Sequence, residues 1–354
     1  MDDDEVLDAL AGVDDPVLDE DIVSLGLVNS VEVHDGVATI SLALGAPYSA
    51  HETQIADAVR DVVADLGLEP DLSARISEPS GDHDEVLPNV GSVIAVASGK
   101  GGVGKSTVAV NLAVGLADVG ARVGLFDADV YGPNVPRMLG ADEPPTASGE
   151  ETIAPPEKFG VSLMSMDFLV GKDDPVIWRG PMVHKVITQL LETVDWGPLD
   201  YLVLDLPPGT GDTQLTVLQT MPLTGALIVT TPQAVAVDDA RKGLEMFARH
   251  ETPVLGIVEN MSTFVCPDCG STHDVFGEGG GRAFADEVGM PFLGAVPLDP
   301  SVRTGGDDGQ PAVLAESEAG AAFRSIAENT ANMVGAVKRR NHSNLAAARA
   351  PNSG

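Results

Sequence analysis

A short glycine- and lysine-rich segment constrains this chain more than any other feature. It reads Gly99-Lys100-Gly101-Gly102-Val103-Gly104-Lys105-Ser106-Thr107 and lies between an apolar run and the helical pattern Val108-Ala109-Val110-Asn111-Leu112. Glycines let the backbone curl so that several N–H groups point at one anion, and the following helix N-terminus adds partial positive charge. Lys105 can then reach β- and γ-phosphate oxygens, and Ser106 can ligate Mg²⁺. The segment therefore predicts a loop, Gly99 to Thr107, that binds the phosphates of a nucleotide.

The pattern beyond this loop predicts the fold class. From Ser92 onward, short apolar runs alternate with helical segments, which is typical of a mostly parallel sheet wound on both faces. We therefore expect an α/β, doubly wound P-loop NTPase sheet. Its predicted strands are Ser92 to Ala97, Arg122 to Phe126, Tyr201 to Leu204, Ala226 to Val229, Val254 to Val258 and Phe292 to Ala295.

The chain divides into four predicted segments. Residues 1–77 are expected to form a small α+β domain with an acidic helix, a strand near Gly36 to Leu42 and an amphipathic helix from Ala50 to Leu66. We expect a polar linker over residues 78–90 and the NTPase domain over residues 91–340, ending in a helix from Ala312. The tail over residues 341–354 is rich in Asn, Ser and Ala and is expected to be disordered.

Charge and hydropathy restrict the partners. The 54 acidic and 20 basic residues give a net charge of -34. We interpret this excess, which spreads along the whole chain, as halophilic adaptation. Nucleic-acid binding would need clustered Lys and Arg, which occur only at Lys338-Arg339-Arg340, so we expect no nucleic-acid partner. The sequence has no membrane-span pattern and an acidic start, Met1 to Glu5, so we expect a cytoplasmic protein without a membrane partner.

The second lysine of the loop places it in a smaller class. Lys100 directly follows the first glycine, and this resembles the deviant Walker A ATPases, which include the MinD, ParA, nitrogenase iron protein and Mrp families. The resemblance implies that Lys100 crosses a dimer interface and stabilises the phosphates bound by the partner subunit, as an arginine finger does. Hydrolysis would then require a homodimer.

Acidic motifs after two predicted strands fit the same class. Taken alone, Asp residues after apolar strands are often helix caps or turn residues. Beside the phosphate loop, Asp127-Ala128-Asp129 and Asp205-Leu206-Pro207-Pro208-Gly209 resemble the two switches of the class. The resemblance implies that Asp129 orients or polarises the attacking water, while Asp127 and Asp205 lie at the magnesium shell. It also implies that Asn260 reads the adenine edge and that Pro297 flanks the base.

Two cysteines form a C-x-x-C pair at Cys266 and Cys269. The spacing leaves a metal or cluster site, a redox disulfide and two unused thiols open. Four thiolates suit tetrahedral Zn²⁺ or a [4Fe-4S] cluster, so one chain supplies half a ligand set and two chains could complete it. His273 follows closely and is interpreted as a bystander.

Several longer runs resemble the Mrp/ApbC family of iron-sulfur carrier ATPases over about residues 91 to 325. The resemblance implies that Cys266 and Cys269 bind a [4Fe-4S] cluster bridging two subunits, that the homodimer binds ATP and Mg²⁺ and hydrolyses ATP, and that apo iron-sulfur proteins receive the cluster. The runs that carry it are Val176-Ile177-Trp178-Arg179-Gly180-Pro181-Met182, Thr231-Pro232-Gln233, Arg241-Lys242-Gly243-Leu244-Glu245-Met246-Phe247, Gly256-Ile257-Val258-Glu259-Asn260-Met261-Ser262 and Phe276-Gly277-Glu278-Gly279-Gly280-Gly281.

The first 77 residues resemble the MIP18-like domain that is often fused to these ATPases. Many of its members carry a cysteine in the turn that here reads Gly45-Ala46-Pro47-Tyr48-Ser49-Ala50. This copy has no thiolate there, so we expect it to dock a partner.

Three other functions are alternatives to the carrier. A MinD or ParA-type positioning ATPase would not explain the C-x-x-C pair. A targeting ATPase clasped by zinc would need a methionine-rich groove, whereas the 10 methionines here are scattered. A nitrogenase-like electron donor would need its two cysteines far apart in sequence.

Overall fold

Two units make up the part of the chain that the computed structural model describes, which is residues 2–76, 87–130, 132–149, 152–169, 180–266 and 269–349. The first unit comprises residues 1–80 and 331–354, and the second comprises residues 81–330. Most of the predicted linker, Tyr131, Val176 to Arg179, Pro267 and Asp268 lie outside the described residues.

The second unit is built on a sheet of eight strands with helices in the connections. Its strands, including short flanking pairs, are β4 Val90–Ser98, β5 Val123–Asp127, β6 Thr146–Ala147, β7 Ile153–Ala154, β8 Glu157–Lys158, β9 Val161–Ser165, β10 Leu199–Asp205, β11 Gly225–Thr230, β12 Val254–Glu259, β13 Phe264–Val265, β14 Thr272–His273 and β15 Phe292–Ala295. Its helices are α3 Lys105–Asp118, α4 Val135–Leu139, α5 Gly180–Thr193, α6 Asp212–Thr220, α7 Ala234–Arg249, α8 Gly280–Val288 and α9 Pro300–Asp307, and α10 Glu318–Arg349 begins there. None of the helices in the described ranges is long and apolar enough to cross a membrane.

The strand order of the large sheet is β15-β12-β11-β4-β10-β5-β9-β8. Every neighbouring pair is parallel except β8 with β9. After β4 the chain builds one side of the sheet and then returns to build the other. Because crossovers between parallel strands are right-handed, this reversal puts helices on both faces, and ligands bind where the direction reverses. The predicted α/β, doubly wound class is confirmed.

The central strands are buried along most of their length, which explains their apolar sequences. Val93 to Ala97 of β4 and Tyr201 to Leu204 of β10 are all buried. Each predicted strand is present with bounds shifted by a few residues at most. The sequence did not predict β9, whose five residues include two serines.

The first unit holds a three-stranded sheet covered by helices. Val6 and Leu10 of its first helix pack with Ile55 and Val59 of its second helix over the buried face of the sheet. The first two strands are antiparallel and the last two are parallel. The elements are α1 Asp3–Leu10, β1 Val28–His34, β2 Val37–Leu42, α2 Ala50–Asp65 and β3 Glu69–Ala74.

The C-terminal half of α10 belongs to this first unit and carries its largest fully buried side chain, Arg339. The guanidinium donates from Nε to Oδ2 of Asp15 at 2.6 Å and from Nη1 to Oε1 of Glu52 at 3.0 Å. Glu52 also accepts backbone N–H bonds from Gly45 and Ala46, in the turn that precedes α2. One buried cation therefore holds two acids from distant parts of the sequence.

The prediction for the C-terminal residues was wrong. We expected the last helix to end at Arg340 and residues 341–354 to be disordered, but α10 continues to Arg349. Alanine is the strongest helix former, and extending an existing helix needs no new nucleation. Ala346 also packs near Gly26 of the first unit. Residues 350–354 lie outside the described part of the chain.

Candidate nucleotide and cysteine sites

Three parallel strands end side by side and bring polar residues into one row. Asp205 ends β10, Asp127 ends β5, and these two aspartates are register partners. Ser165 at the end of β9 is the register partner of Asp127. The carboxyl edge of the sheet thus gathers two carboxylates and a hydroxyl where strand direction favours ligand binding.

The phosphate loop starts directly after β4, and its last three residues, Lys105 to Thr107, are the first three residues of α3. Gly102 and Gly104 have φ angles of 82° and 83°, which L-residues with side chains rarely adopt. Gly99 lies against the backbone of α7 at Asp239, so a Cβ there would collide with it. The loop borders a cleft of about 400 Å³ lined by Lys100, Gly101, Gly102, Gly104, Lys105, Ser106 and Thr107, together with Asp129.

Lys105 is buried at the base of this cleft, with 6% of its side chain exposed. Its Nζ lies 2.5 Å from Oδ1 of Asp205 and 3.3 Å from Oγ of Ser106. Lys105, predicted to bind phosphates, therefore contacts two of the residues predicted to bind magnesium, Ser106 and Asp205.

Both strand-end carboxylates have raised pKa values. Burial and the charge of Asp205 raise the pKa of Asp127 to about 8. Burial also raises the pKa of Asp205, although the Lys105 ammonium opposes this rise. The other oxygen of Asp205, Oδ2, is buried without a hydrogen-bond partner among the described residues. A divalent cation would supply the missing positive charge and bind oxygen ligands of this kind.

Asp127 also shapes the segment that follows it. Its Oδ1 accepts the backbone N–H of Asp129 at 3.1 Å, and its Oδ2 accepts from Val135 N and from the Ser165 hydroxyl. Asp129, predicted at the attacking water, lines the cleft. Asp127 thus positions the backbone that carries Asp129.

Lys100 lines the same cleft and has no ion pair among the residues that the structure describes. The Ser98 hydroxyl donates to the Lys100 carbonyl at 3.0 Å. The Ser98 carbonyl accepts the N–H of Gly209, in the predicted second switch, at 2.9 Å. The backbone of Lys100 is therefore tied to the second switch through one serine.

Asn260 and Pro297 are not among the residues that line this cleft. Asn260 is buried, and its Nδ2 donates to the Val103 carbonyl at 2.9 Å. A Cβ on Gly104 would collide with the same amide nitrogen. Pro297 is half-buried beyond β15. Asn260 therefore supports the phosphate loop, and the adenine contacts of both residues stay a prediction.

The cysteines lie on a small hairpin formed by β13 and β14. Phe264 pairs with His273, and the next backbone bond runs from Cys266 N to Ser271 O at 2.9 Å. Both thiols are free, and Cys269 is exposed. Its Sγ is 3.3 Å from the Ser271 hydroxyl, which can donate to a thiolate. The bonds to Ser271 lower the pKa of Cys269, and Cys266 adds to this effect.

The hairpin supplies two thiols from one chain. No cluster of three or more His, Cys, Asp or Glu side chains suited to a metal occurs within the described ranges. The His273 ring lies 6.4 Å from the Phe264 ring, centre to centre.

Three charged residues at the cleft were not predicted from the sequence, namely Arg137, Arg303 and Asp307. Arg137 lies on α4 and the other two lie on α9. Nothing in a spacing pattern joins positions 170 residues apart, such as Arg137 and Asp307. The one available signal was the scarcity of basic residues, which makes each arginine worth locating.

Comparison with known proteins identifies the family. The sequence profile described as "NUBPL iron-transfer P-loop NTPase" matches residues 89–331. This chain belongs to that family. A second profile, described as "Iron-sulfur cluster assembly protein", matches residues 3–72 of this iron-transfer P-loop NTPase. The family predicted from the sequence motifs is thereby confirmed.

Relatives of this NTPase cover most of its length. An iron-sulfur cluster carrier protein of Deinococcus radiodurans is 46% identical over 344 residues, which are 94% of this chain and 95% of that protein. The iron-sulfur cluster carrier protein of Escherichia coli is 49% identical over 248 residues, which are 69% and 67% of the two chains.

Solved structures share the fold of the NTPase unit. A nucleotide-binding protein of Archaeoglobus fulgidus, solved with ADP, has 41% identity and a TM-score of 0.58, covering 65% of this chain and 90% of its own. The cell division ATPase MinD of Pyrococcus furiosus has 27% identity and a TM-score of 0.52, covering 68% and 98%.

Proposed function

We propose that this NTPase carries [4Fe-4S] clusters as cargo between two copies of the chain and transfers them to apo iron-sulfur proteins, using ATP. The observation that carries the proposal is the exposed hairpin with two free thiols, next in sequence to a strand whose end supports the phosphate loop. Relatives named iron-sulfur cluster carrier proteins support it.

The nucleotide part of the proposal uses the residues around the cleft. The N–H groups of the loop, Gly99 to Thr107, bind the phosphates, and Lys105 leaves Asp205 for the β- and γ-oxygens. Mg²⁺ would be held by Ser106 with Asp205 and Asp127 around it, and would neutralise the charge of the phosphates. Asp129 orients the attacking water.

Lys100, Asn260 and Pro297 are proposed to make contacts beyond the phosphate cleft of their own chain. Lys100 stabilises the phosphates bound by the partner, which suits a lysine that makes no ion pair within the described part of its own chain. Asn260 and Pro297 contact the adenine at the end of the loop.

The cargo part needs two chains. Two thiolates from each hairpin make the Cys₄ set of a cubane cluster, so the complete site forms about the twofold axis of a homodimer. The lowered pKa of Cys269 favours the thiolate that binds iron. Unbridged thiols also fit a cytoplasmic location, where disulfides are rare.

The rival functions differ from the carrier in the use of the thiols or in the metal that they bind. A positioning ATPase of the MinD type needs no thiols. A zinc-clasped ATPase uses the same four thiolates, and the metal content separates it from a carrier.

Anaerobic reconstitution tests the proposal. We expect about one cluster per two chains, with about four iron and four sulfide, and activation of an apo [4Fe-4S] enzyme by the loaded protein. Cys266→Ser and Cys269→Ser should each lose the cluster and keep ATP binding. His273→Ala, a change on the same hairpin outside the proposed ligand set, should keep the cluster. Stoichiometric zinc, refusal of iron and sulfide, and no activation would overturn the carrier function.

A further inference from the structure

The cleft beside the phosphate loop concentrates positive charge in an acidic chain. Four of the 20 basic residues of the chain line it, namely Lys100, Lys105, Arg137 and Arg303. The proposed function gives roles to the two lysines and none to the two arginines. Since 54 acidic residues surround so few cations, this concentration points to a polyanionic ligand.

Both arginines contact the same carboxylate. Nη2 of Arg137 lies 3.1 Å from Oδ1 of Asp307, and Nη1 of Arg303 lies 2.8 Å from Oδ2. Two positive charges against one negative charge leave one positive charge in excess. The arginine side chains are 69% and 74% exposed. A guanidinium has five N–H donors, so most donors of this pair remain available to a ligand.

The two arginines lie on two helices that both border the cleft. Arg137 lies on α4, whose first residue, Val135, donates its N–H to Asp127 at 3.3 Å. Arg303 lies on α9. Through Asp127, the position of Arg137 depends on the same backbone that carries Asp129.

We propose that Arg137 and Arg303 are a second phosphate-binding pair of this cleft, and that Asp307 holds both guanidinium groups until the phosphates of a nucleotide displace it. Guanidinium groups match phosphate oxygens with paired N–H bonds, and a polyphosphate carries more negative charge than one carboxylate. The proposal rests on the proposed function in one respect, that the cleft binds a nucleotide.

The test uses changes with opposite expected signs. Arg137→Gln and Arg303→Gln should each weaken MgATP binding about 10-fold, because each removes one charged donor. Asp307→Asn should strengthen binding about threefold, since it removes the competing charge. Arg60→Gln is the matched control, because Arg60 forms an exposed pair with Asp57 in the first unit. Calorimetry should measure the Kd of MgATP and of tripolyphosphate, in KCl at which circular dichroism shows each variant folded.

Each outcome decides the proposal. Parallel losses for MgATP and tripolyphosphate in the arginine variants, with tighter binding by Asp307→Asn, support it. Arginine variants that bind like Arg60→Gln overturn it, as does an Asp307→Asn variant weakened like them, because that result makes the trio structural. Loss of MgATP affinity alone also overturns it, since the target is then not phosphate. A wild-type protein that binds neither ligand overturns the proposed nucleotide function itself.

Discussion

Lys105 has an anionic partner before any nucleotide binds. Its ammonium and Oδ1 of Asp205 are 2.5 Å apart and both groups are buried. Binding of phosphate must exchange one buried contact for another, so the lysine is never left in a low-dielectric site without a counter-charge. In the proposed function, Asp205 would then be released to face a cation when Lys105 moves to the phosphates.

Removal of this lysine should therefore stop turnover. We expect Lys105→Ala to lower the ATP hydrolysis rate by at least about 100-fold, because no other side chain of the loop is proposed to neutralise the β- and γ-oxygens of the nucleotide bound by its own chain. Asp129→Asn should slow hydrolysis by about 10²-fold or more while the Kd for ATP changes little, since the phosphate loop stays intact. Steady-state hydrolysis and calorimetry measure the two effects. An equal loss of binding and rate in Asp129→Asn would make that residue structural.

At the residue scale, sequence motifs predicted the site residues that lie close together in the sequence. Lys100, Lys105, Ser106 and Asp129 were predicted because the loop and the switch segment each carry their own pattern, and the structure places all four at one cleft. The support that Asn260 gives to Val103 was not predictable, because a side chain under a loop leaves no periodic trace 157 residues away.

At the element scale, helix α10 depends on Arg339 for its place in the first unit. We expect Arg339→Met to lower the free energy of unfolding of this unit by about 3–5 kcal/mol, because Asp15 and Glu52 would stay buried without a counter-charge. Hydrogen exchange of the α2 amides measures it. Arg60→Gln, which breaks an exposed pair in the same unit, should change it by less than about 0.5 kcal/mol. Equal effects of the two changes would contradict the prediction.

The same cluster predicts a pH dependence. Burial alone would raise the pKa of Asp15, but the bonds and charge of Arg339 and two backbone N–H groups outweigh it, so the pKa lies below its usual value. The unfolded chain then binds more protons, so this contribution is complete above the ordinary pKa of 3.8 and disappears as pH falls through the folded value. Urea unfolding of wild type and Asp15→Asn should converge only in that acidic range. Convergence near pH 6 would show that Asp15 contributes no such stabilisation.

Whole elements were predictable where one pattern runs through them. The buried strands β4 and β10 appear as continuous apolar runs, whereas β3, with Pro70 and alternating acids, gives no such run. Its parallel pairing with β2 stabilises it, which is a tertiary effect that local sequence does not carry.

At the scale of the whole molecule, the shared site should show complementation. Chains with Lys100→Ala mixed with Lys105→Ala chains should recover roughly a quarter of the wild-type hydrolysis rate, because half the dimers are mixed and each has one complete site. Each variant alone should be nearly inactive. Mass spectrometry must show the mixed dimers. If they form and no activity returns, Lys100 does not act across the interface.

The net charge of -34 predicts a salt requirement. The Debye length falls from about 10 Å at 0.1 M salt to about 3 Å at 1 M, which screens repulsion between the acids. The urea midpoint of unfolding should therefore rise as KCl is raised between these concentrations. A midpoint that is constant or falls would contradict the halophilic interpretation, which stays a prediction.

The arrangement of the first unit also determines when this unit can finish folding while the chain is being synthesised. Asp15 and Arg339 are separated by 324 positions. At about 5–20 residues per second, the ribosome makes the arginine roughly 16 to 65 s after the aspartate. Until then, burying Asp15 and Glu52 would leave two charges uncompensated. The unit that is translated first therefore reaches its final packing last, after every strand of the NTPase sheet has been made.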